Sequence, residues 1–139
     1  MNIEAFLLCD CATDSFGKLN VLGAFDRIYS ARLPVVYPAC AVAGRIRFDR
    51  SEEGKHKIMI NIIDEDGGPI GPGKLEGGLG VKFRGKSDSA AVNFVLHFQR
   101  LTFKKFGEYR IDLSVDGCHE TSLPLFVVER EQMHRQDEY

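Results

Sequence analysis

Four cysteines are the residues of this chain best suited to metal or redox chemistry: Cys9, Cys11, Cys40 and Cys118. Thiolates bind zinc tetrahedrally, but structural zinc sites usually draw cysteines in pairs separated by about two to four residues on turns. Here one residue separates Cys9 from Cys11, and the other two stand alone. We therefore expect the cysteines to pack as small apolar side chains, with zinc binding and a redox or disulfide role as alternatives. Cys118 follows an Asp-Gly turn and is the one that we expect to be exposed.

A run of three carboxylates, Asp64, Glu65 and Asp66, precedes Gly67 and offers the oxygen ligands that calcium prefers. The further ligands of an EF-hand loop are missing from the sequence that follows. Because Asp and Gly are also the residues that tight turns require, the run predicts a solvated hairpin turn.

Residues 67–80 are rich in glycine and proline and formally contain the spacing of a phosphate-binding loop, with Gly68, Gly73 and Lys74 in place. The match fails on physical grounds. Leu75 replaces the hydroxyl residue that would bind magnesium, prolines remove backbone donors, and no helical pattern follows. The stretch therefore predicts a mobile loop or a bulged edge strand, where a partner could dock.

The histidines form no catalytic or metal-binding pattern. They lie in different predicted elements, without the spacing of a ligand pair, and no nucleophile motif accompanies them: His56, His97, His119 and His134. We therefore expect no enzyme activity and assign no catalytic, cofactor-binding or metal-binding residue. The alternatives are an enzyme whose site is assembled from distant residues and a sandwich that binds a metal or another small ligand.

Basic residues outline one small surface that resembles a nucleic-acid site. Arg45 and Arg47 share a predicted strand face, and Lys104 and Lys105 lie in a turn between two phenylalanines. The net charge of −2 argues against nucleic acid as a partner.

The elements that must position these residues are strands. Tyr109, Ile111, Leu113 and Val115 alternate with polar residues, which predicts a strand with one buried face. An Asp-Gly turn follows, and the chain returns with apolar residues at alternate positions up to Val127. Tyr109 is predicted to pack inward and to send its hydroxyl to the backbone of the preceding loop, as in immunoglobulin-like domains.

Further strands are predicted over residues 4–12, 19–30 with a bulge at Gly23, 39–48, 57–64, 80–84 and 91–99. Pro34 and Pro38 keep residues 32–38 out of the centre of a sheet and predict an extended crossover between sheets. Asp26 and Arg27 are interpreted either as a tether for this crossover or as part of a recognition patch. Seven or eight short strands predict an all-β, immunoglobulin-like antiparallel sandwich, with a partly open barrel as the alternative. We expect one domain over residues 1–128 and a charged tail at 129–139.

Four segments resemble a bacterial family of small sandwich proteins of unknown function: GKLNVLGAFDRI at 17–28, DEDG at 64–67, GEYRIDLSVDG at 107–117 and SLPLFVV at 122–128. The similarity covers nearly the whole chain to about Val128. It implies a bacterial origin and an immunoglobulin-like sandwich, and it brings no known activity, cofactor or catalytic residue.

The N-terminal residues lack the pattern of an export signal. Glu4 and Asp10 interrupt an apolar run that is shorter than the roughly 7–15 residues of a signal-peptide core. No segment approaches the about 20 apolar residues of a membrane span. We therefore expect a cytoplasmic, non-enzymatic binding or structural module without a cofactor or a membrane partner. A protein partner, or a second copy bound through an exposed sheet edge, is the expected interaction.

Overall fold

The computed structural model describes residues 1–130, and about three quarters of them lie in β-strands. This range contains nine strands: β1 (Asn2–Ser15), β2 (Lys18–Ala24), β3 (Arg27–Ser30), β4 (Val35–Asp49), β5 (Gly54–Ile63), β6 (Pro69–Val81), β7 (Ser89–Phe103), β8 (Gly107–Val115) and β9 (Cys118–Glu129). A short 3₁₀ turn, Arg50–Glu52, joins β4 to β5. Within the described range, no helix is long and apolar enough to cross a membrane. Of the predicted tail, residues 131–139 lie outside this range.

The strands form two sheets. The four-stranded sheet has the order β2-β1-β4-β7, and the five-stranded sheet has the order β3-β9-β8-β5-β6. Neighbouring strands are antiparallel except for β3, which runs parallel to β9. The predicted all-β sandwich is confirmed. The barrel alternative is wrong, because each sheet begins and ends with a different strand.

The main core lies between the sheets and is built from alternate residues of each strand. The alternation predicted for β8 is confirmed, since its four inward residues are at most 4% exposed: Tyr109, Ile111, Leu113 and Val115. The Tyr109 ring packs edge-on against Phe103 with 4.9 Å between ring centroids, and its hydroxyl donates a hydrogen bond to the Lys105 carbonyl at 2.7 Å. The predicted inward tyrosine that bonds the preceding loop is therefore present.

One glycine makes the close packing of this core possible. Gly44 pairs with Phe94 across β4 and β7. A Cβ atom at Gly44 would lie 2.1 Å from a ring carbon of Phe94. The aromatic ring therefore occupies the space above this glycine, where no larger residue fits without a shift.

The hairpin formed by the end of β1 and the start of β2 folds over the outer face of β4 and β7. The Asn93 amide on β7 donates hydrogen bonds to the Asp14 carboxylate at 3.0 Å and to the Gly17 carbonyl at 3.1 Å. A second small core is buried beneath the hairpin: Cys9, Ala12, Ala41 and Ala43, with Leu19, Val21 and Val95 packed around them. Strand β4 is thus covered on both faces, which explains its run of small and apolar residues.

The single strand predicted over residues 19–30 is wrong, because two strands in different sheets occupy this range. The change of sheet occurs where the Phe25 N–H bonds the Leu8 carbonyl at 3.0 Å and the Asp26 carbonyl accepts the Phe126 N–H at 2.8 Å. The Arg27 guanidinium then lies 4.6 Å from the centre of the Phe126 ring. The Asp26 carbonyl and the Arg27 side chain therefore anchor the chain to β9 where it changes sheets, rather than to the crossover at residues 32–38.

The exclusion of residues 32–38 from a central strand is also partly wrong. Strand β4 begins at Val35 and is central in its sheet. Its ladder with β7 pairs Tyr37 with Leu101 and Ala39 with Gln99, whereas Pro38 between them has no partner. The missing donor of the proline is tolerated because the ladder is interrupted at that residue.

The glycine-rich residues 67–80 form most of β6, an edge strand of the five-stranded sheet. The register of its pairing with β5 shifts between Asn61 and Ile63. The bulged edge strand, one of the two structures predicted here, is confirmed. The short strand predicted over 80–84 is wrong, because β6 already ends at Val81.

Candidate functional site

The acidic turn is held together by its own carboxylates. The Asp64 carboxylate accepts hydrogen bonds from the backbone N–H groups of Asp66 at 2.9 Å and Gly68 at 2.8 Å. The Gly68 bond is the main cause that lowers the pKa of Asp64. Glu65 accepts the N–H of Glu108 at 2.8 Å. These carboxylates therefore fix loops, as the predicted hairpin turn requires.

The cysteines divide into two buried and two exposed thiols, all unpaired: Cys9 and Cys40 are buried, and Cys11 and Cys118 are exposed. The packing prediction is wrong for Cys11. Cys9 and Ala12 both face the small core although they stand three residues apart, so the strict alternation of β1 is broken here and Cys11 is exposed. Burial raises the pKa of Cys40 to about 11 and also raises that of Cys9, which makes both poor nucleophiles. Among residues 1–130, no three His, Cys, Asp or Glu side chains are placed to hold a metal.

A serine, a histidine and an aspartate meet on the exposed face of β8 and β9, but their hydrogen bonds have the wrong polarity for catalysis. The Ser122 hydroxyl donates to Asp112 at 2.6 Å, so its oxygen accepts from His119 Nε2, which lies 2.9 Å away. A catalytic histidine must instead accept the serine proton. The Arg110 guanidinium also binds the Asp112 carboxylate, at 2.8 Å. We infer that this cluster joins neighbouring strands.

His56 is held as an imidazolium between two acceptors. Its Nε2 lies 2.6 Å from the Glu52 carbonyl and its Nδ1 lies 2.6 Å from the Asp116 carboxylate. Neither partner can donate, so both ring nitrogens carry protons. These bonds, first the one to Glu52, raise the pKa of His56. The ring stacks on Phe48 at 4.6 Å, and the histidine thereby ties β5 to the β8–β9 turn.

The basic residues singled out in the sequence are partly neutralised. Glu4 binds both Arg45, at 3.0 Å, and Arg47, at 2.6 Å, and these bonds lower the pKa of Glu4. The register of β1 shifts between Ile3 and Ala5, which accommodates Glu4 as an extra residue. The Lys105 ammonium binds Asp66 at 2.9 Å. Three of the four cations that resemble a nucleic-acid site, Arg45, Arg47 and Lys105, are therefore paired with carboxylates.

An apolar groove opens where the chain passes from β2 to β3. It encloses about 360 Å³ and its apolar lining comes from three parts of the chain: Leu7, Leu8, Ala24, Phe25, Leu123 and Pro124. Asp26 is the one charged residue among the described lining residues. We call this site the β1–β9 groove. Leu7 is 38% exposed and the nearby strand β2 presents Leu22 at 71% exposure, so apolar surface extends beyond the groove.

Strand β1 has an open edge beside this groove. Strand β2 pairs with β1 only from Cys9 onward, and no other described strand pairs with the preceding residues on that side. The Leu8 carbonyl accepts the Phe25 N–H, so Leu8 directs its backbone polar groups toward the β2 side. By the alternation of antiparallel pairing, Phe6 directs its N–H and carbonyl to the open edge.

Strand β9 has a second open edge, which is the poorer of the two. Strand β3 pairs with β9 only from Phe126 onward, and Phe126 directs its N–H toward β3. Two residues earlier, Pro124 takes the corresponding outward position, where it has no N–H to offer. Natural sheets use proline in this way to protect an edge from further pairing. Of these two open stretches beside the groove, the edge of β1 is therefore the better able to receive another strand.

A family model describing a family of unknown function, DUF6941, matches residues 4–128. The chain belongs to the DUF6941 family. Searches of curated proteins and of solved structures find no significant match. The predicted membership of a family of unknown function that spans nearly the whole chain is therefore confirmed in this general form. Membership in DUF6941 assigns no activity and no residue role.

The sequence of this DUF6941 member gave no direct signal for the β1–β9 groove. Leu7, Ala24 and Leu123 come from three strands, and each is an ordinary strand residue in its own segment. The change of sheet near Phe25 falls within residues 19–30, whose sequence pattern predicts one continuous strand. Pro124 was the available signal, because a proline inside an apolar strand indicates a side on which that strand has no partner.

Proposed function

We propose that this protein is a non-enzymatic binding module that receives an extended polypeptide segment along the open edge of β1. The segment pairs with the backbone of Phe6 and places an apolar side chain in the β1–β9 groove. Domains that bind peptides by strand addition obtain affinity from main-chain hydrogen bonds and specificity from side-chain pockets. The observation that carries the proposal is that an unpaired strand edge adjoins an apolar groove.

The competing functions have weaker support among the described residues. The exposed Ser-His-Asp cluster has the opposite hydrogen-bond polarity to a hydrolase triad. A small apolar ligand is the second candidate, because the groove volume of about 360 Å³ falls at the lower end of the range for ligand pockets. The open strand edge favours a polypeptide over a small molecule, since a small molecule would leave it unpaired.

Several finer features belong to the same proposal. The bond from the Tyr109 hydroxyl to Lys105 supports an immunoglobulin-like sandwich over residues 1–128.

The four unpaired thiols support a reducing, cytoplasmic location, and the resemblance described above supports a bacterial origin. A second copy bound edge to edge at β1 would give a homodimer. Sedimentation velocity at micromolar concentration measures this, and a strictly monomeric protein would rule the homodimer out.

Affinity capture from the native host with matched variants tests the proposal. Leu7→Arg and Ala24→Arg place the same charged side chain on two different strands that line the groove. Phe16→Ser is the control, because Phe16 is fully exposed in the turn that precedes β2, away from the groove. Circular dichroism should show that all three variants fold.

A polypeptide that is captured by the wild-type protein and by Phe16→Ser, and lost with both groove variants, would support the proposal. Capture that survives both arginine substitutions would overturn it. Loss of a small apolar molecule, and of no polypeptide, from the groove variants would favour the second candidate. Native mass spectrometry distinguishes these outcomes.

A further inference from the structure

A second groove lies at the end of the β5–β6 pair, on other strands than those of the β1–β9 groove. It encloses about 410 Å³ between the start of β5 and the segment that continues β6: Glu53, Lys55, Gly80, Val81, Phe83 and their neighbours. A Cβ atom at Gly80 would meet no atom within 4 Å. The missing side chain of this glycine therefore leaves the floor of the groove open.

The charge around this groove is positive, although the chain carries a net charge of −2. Three cations line it, Lys55, Lys82 and Arg84, and none of their side chains has an ion pair or hydrogen bond with a residue in the described range. Glu53 is the only acid in the lining, and its carboxylate accepts the Phe83 N–H at 2.9 Å. Unpaired cations beside an apolar surface favour an anionic partner.

Contacts from Arg50 fix the segment around Phe83, which forms one wall of the groove. The Arg50 guanidinium lies 5.5 Å from the centre of the Phe83 ring and donates a hydrogen bond to the Gly85 carbonyl at 2.6 Å. Together with the bond from Phe83 to Glu53, these contacts fix the segment that carries Lys82 and Arg84. A fixed arrangement of charges lowers the entropic cost of binding.

We propose that this groove binds an acidic peptide segment with an apolar anchor residue. Lys82 and Arg84 stand two residues apart, which places their Cα atoms at most about 7 Å from each other. Carboxylates at alternate positions of an extended peptide repeat at nearly the same distance. Lys55 faces them from β5, and the apolar side chain of the peptide enters above Gly80.

Fluorescence anisotropy tests the proposal with a short labelled peptide in which glutamate and leucine alternate. The wild-type protein should bind this peptide, and the double charge reversal Lys82→Glu with Arg84→Glu should weaken binding by about tenfold or more. Gly80→Leu fills the groove without altering a charge and should weaken binding comparably. Lys74→Glu is the control, since Lys74 is an exposed lysine in the middle of β6 and does not line the groove.

Binding that is lost with both groove variants and retained within about twofold by Lys74→Glu would support the assignment. Equal loss with Lys74→Glu would overturn it, because binding would then reflect general electrostatic attraction. It would also be overturned if the wild-type protein failed to bind the peptide or bound a single-stranded oligonucleotide more tightly. Circular dichroism checks that each variant is folded.

Discussion

The contact between Gly44 and Phe94 allows the packing of the two-sheet core to be tested with one added methyl group. The substitution Gly44→Ala places a Cβ atom 2.1 Å from the Phe94 ring, far inside ordinary van der Waals contact. The φ angle of Gly44 is not in the left-handed region, so the backbone accepts alanine. Alanine alone would stabilise the protein by about 0.4–1 kcal/mol through the unfolded state.

The expected cost of Gly44→Ala follows from what the Phe94 ring must do. Phe94 is only 5% exposed, so its ring can move away from a new Cβ atom only by displacing the side chains packed around it. Overpacking a core costs about 1–3 kcal/mol, and complete loss of a buried phenylalanine costs about 3–5 kcal/mol. We expect Gly44→Ala to reduce the free energy of unfolding by about 2–4 kcal/mol.

Urea unfolding followed by far-ultraviolet circular dichroism measures this change, because the chain has no Trp to report by fluorescence. In a Phe94→Leu background, Gly44→Ala should cost less than about 1 kcal/mol, since the ring is gone. Gly78→Ala is the matched control: a Cβ atom there meets nothing within 4 Å, and stability should change by less than about 1 kcal/mol. Equal costs of Gly44→Ala in the two backgrounds would refute the packing described for the core.

Three further predictions follow from the contacts of single side chains. Tyr109→Phe leaves the Lys105 carbonyl without its partner and should lower the unfolding free energy by about 1–2 kcal/mol in the same urea assay. Because the pKa of His56 is raised, its stabilising contribution is complete below the ordinary histidine pKa of about 6.5 and declines as pH rises through the native value, so the stability lost in His56→Gln should shrink over that range. Timed thiol labelling of the folded protein should modify the exposed cysteines first and the buried ones only after unfolding: Cys11 and Cys118, then Cys9 and Cys40.

Each of these predictions has an outcome that contradicts it. An unchanged urea midpoint for Tyr109→Phe would mean that the hydroxyl bond contributes nothing. A stability difference for His56→Gln that grows as the pH rises above about 6.5 would give His56 the opposite linkage. Rapid labelling of Cys40 in the folded protein would contradict its burial.

The strand that the sequence predicts best is β8. Its inward residues are all large and hydrophobic, and the residues between them are all polar: Tyr109, Ile111, Leu113 and Val115 face inward. Such alternation depends only on one buried and one wet face, which a local pattern can report. The division of residues 19–30 between two sheets could not be predicted in this way. It depends on Phe25 and Asp26 bonding strands that lie far away in the sequence.

Pro38 and Cys11 are two positions at which a local sequence rule leads to a wrong prediction. The local rule that proline avoids central strands is sound, but the ladder of β4 is interrupted at that residue. The period-2 rule puts Cys9 and Cys11 on one face, but Ala12 takes the place beside Cys9 in the small core and Cys11 is exposed. The β1–β9 groove depends on such long-range geometry, and Pro124 is the one local signal near it.

Hydrogen–deuterium exchange on the protein alone and with its captured partner tests the proposed function most directly. The account predicts that the partner slows exchange in the first half of β1, around Phe6, while β6 remains unchanged. Protection that appears elsewhere and leaves β1 as exchangeable as in the free protein would contradict strand addition at this edge.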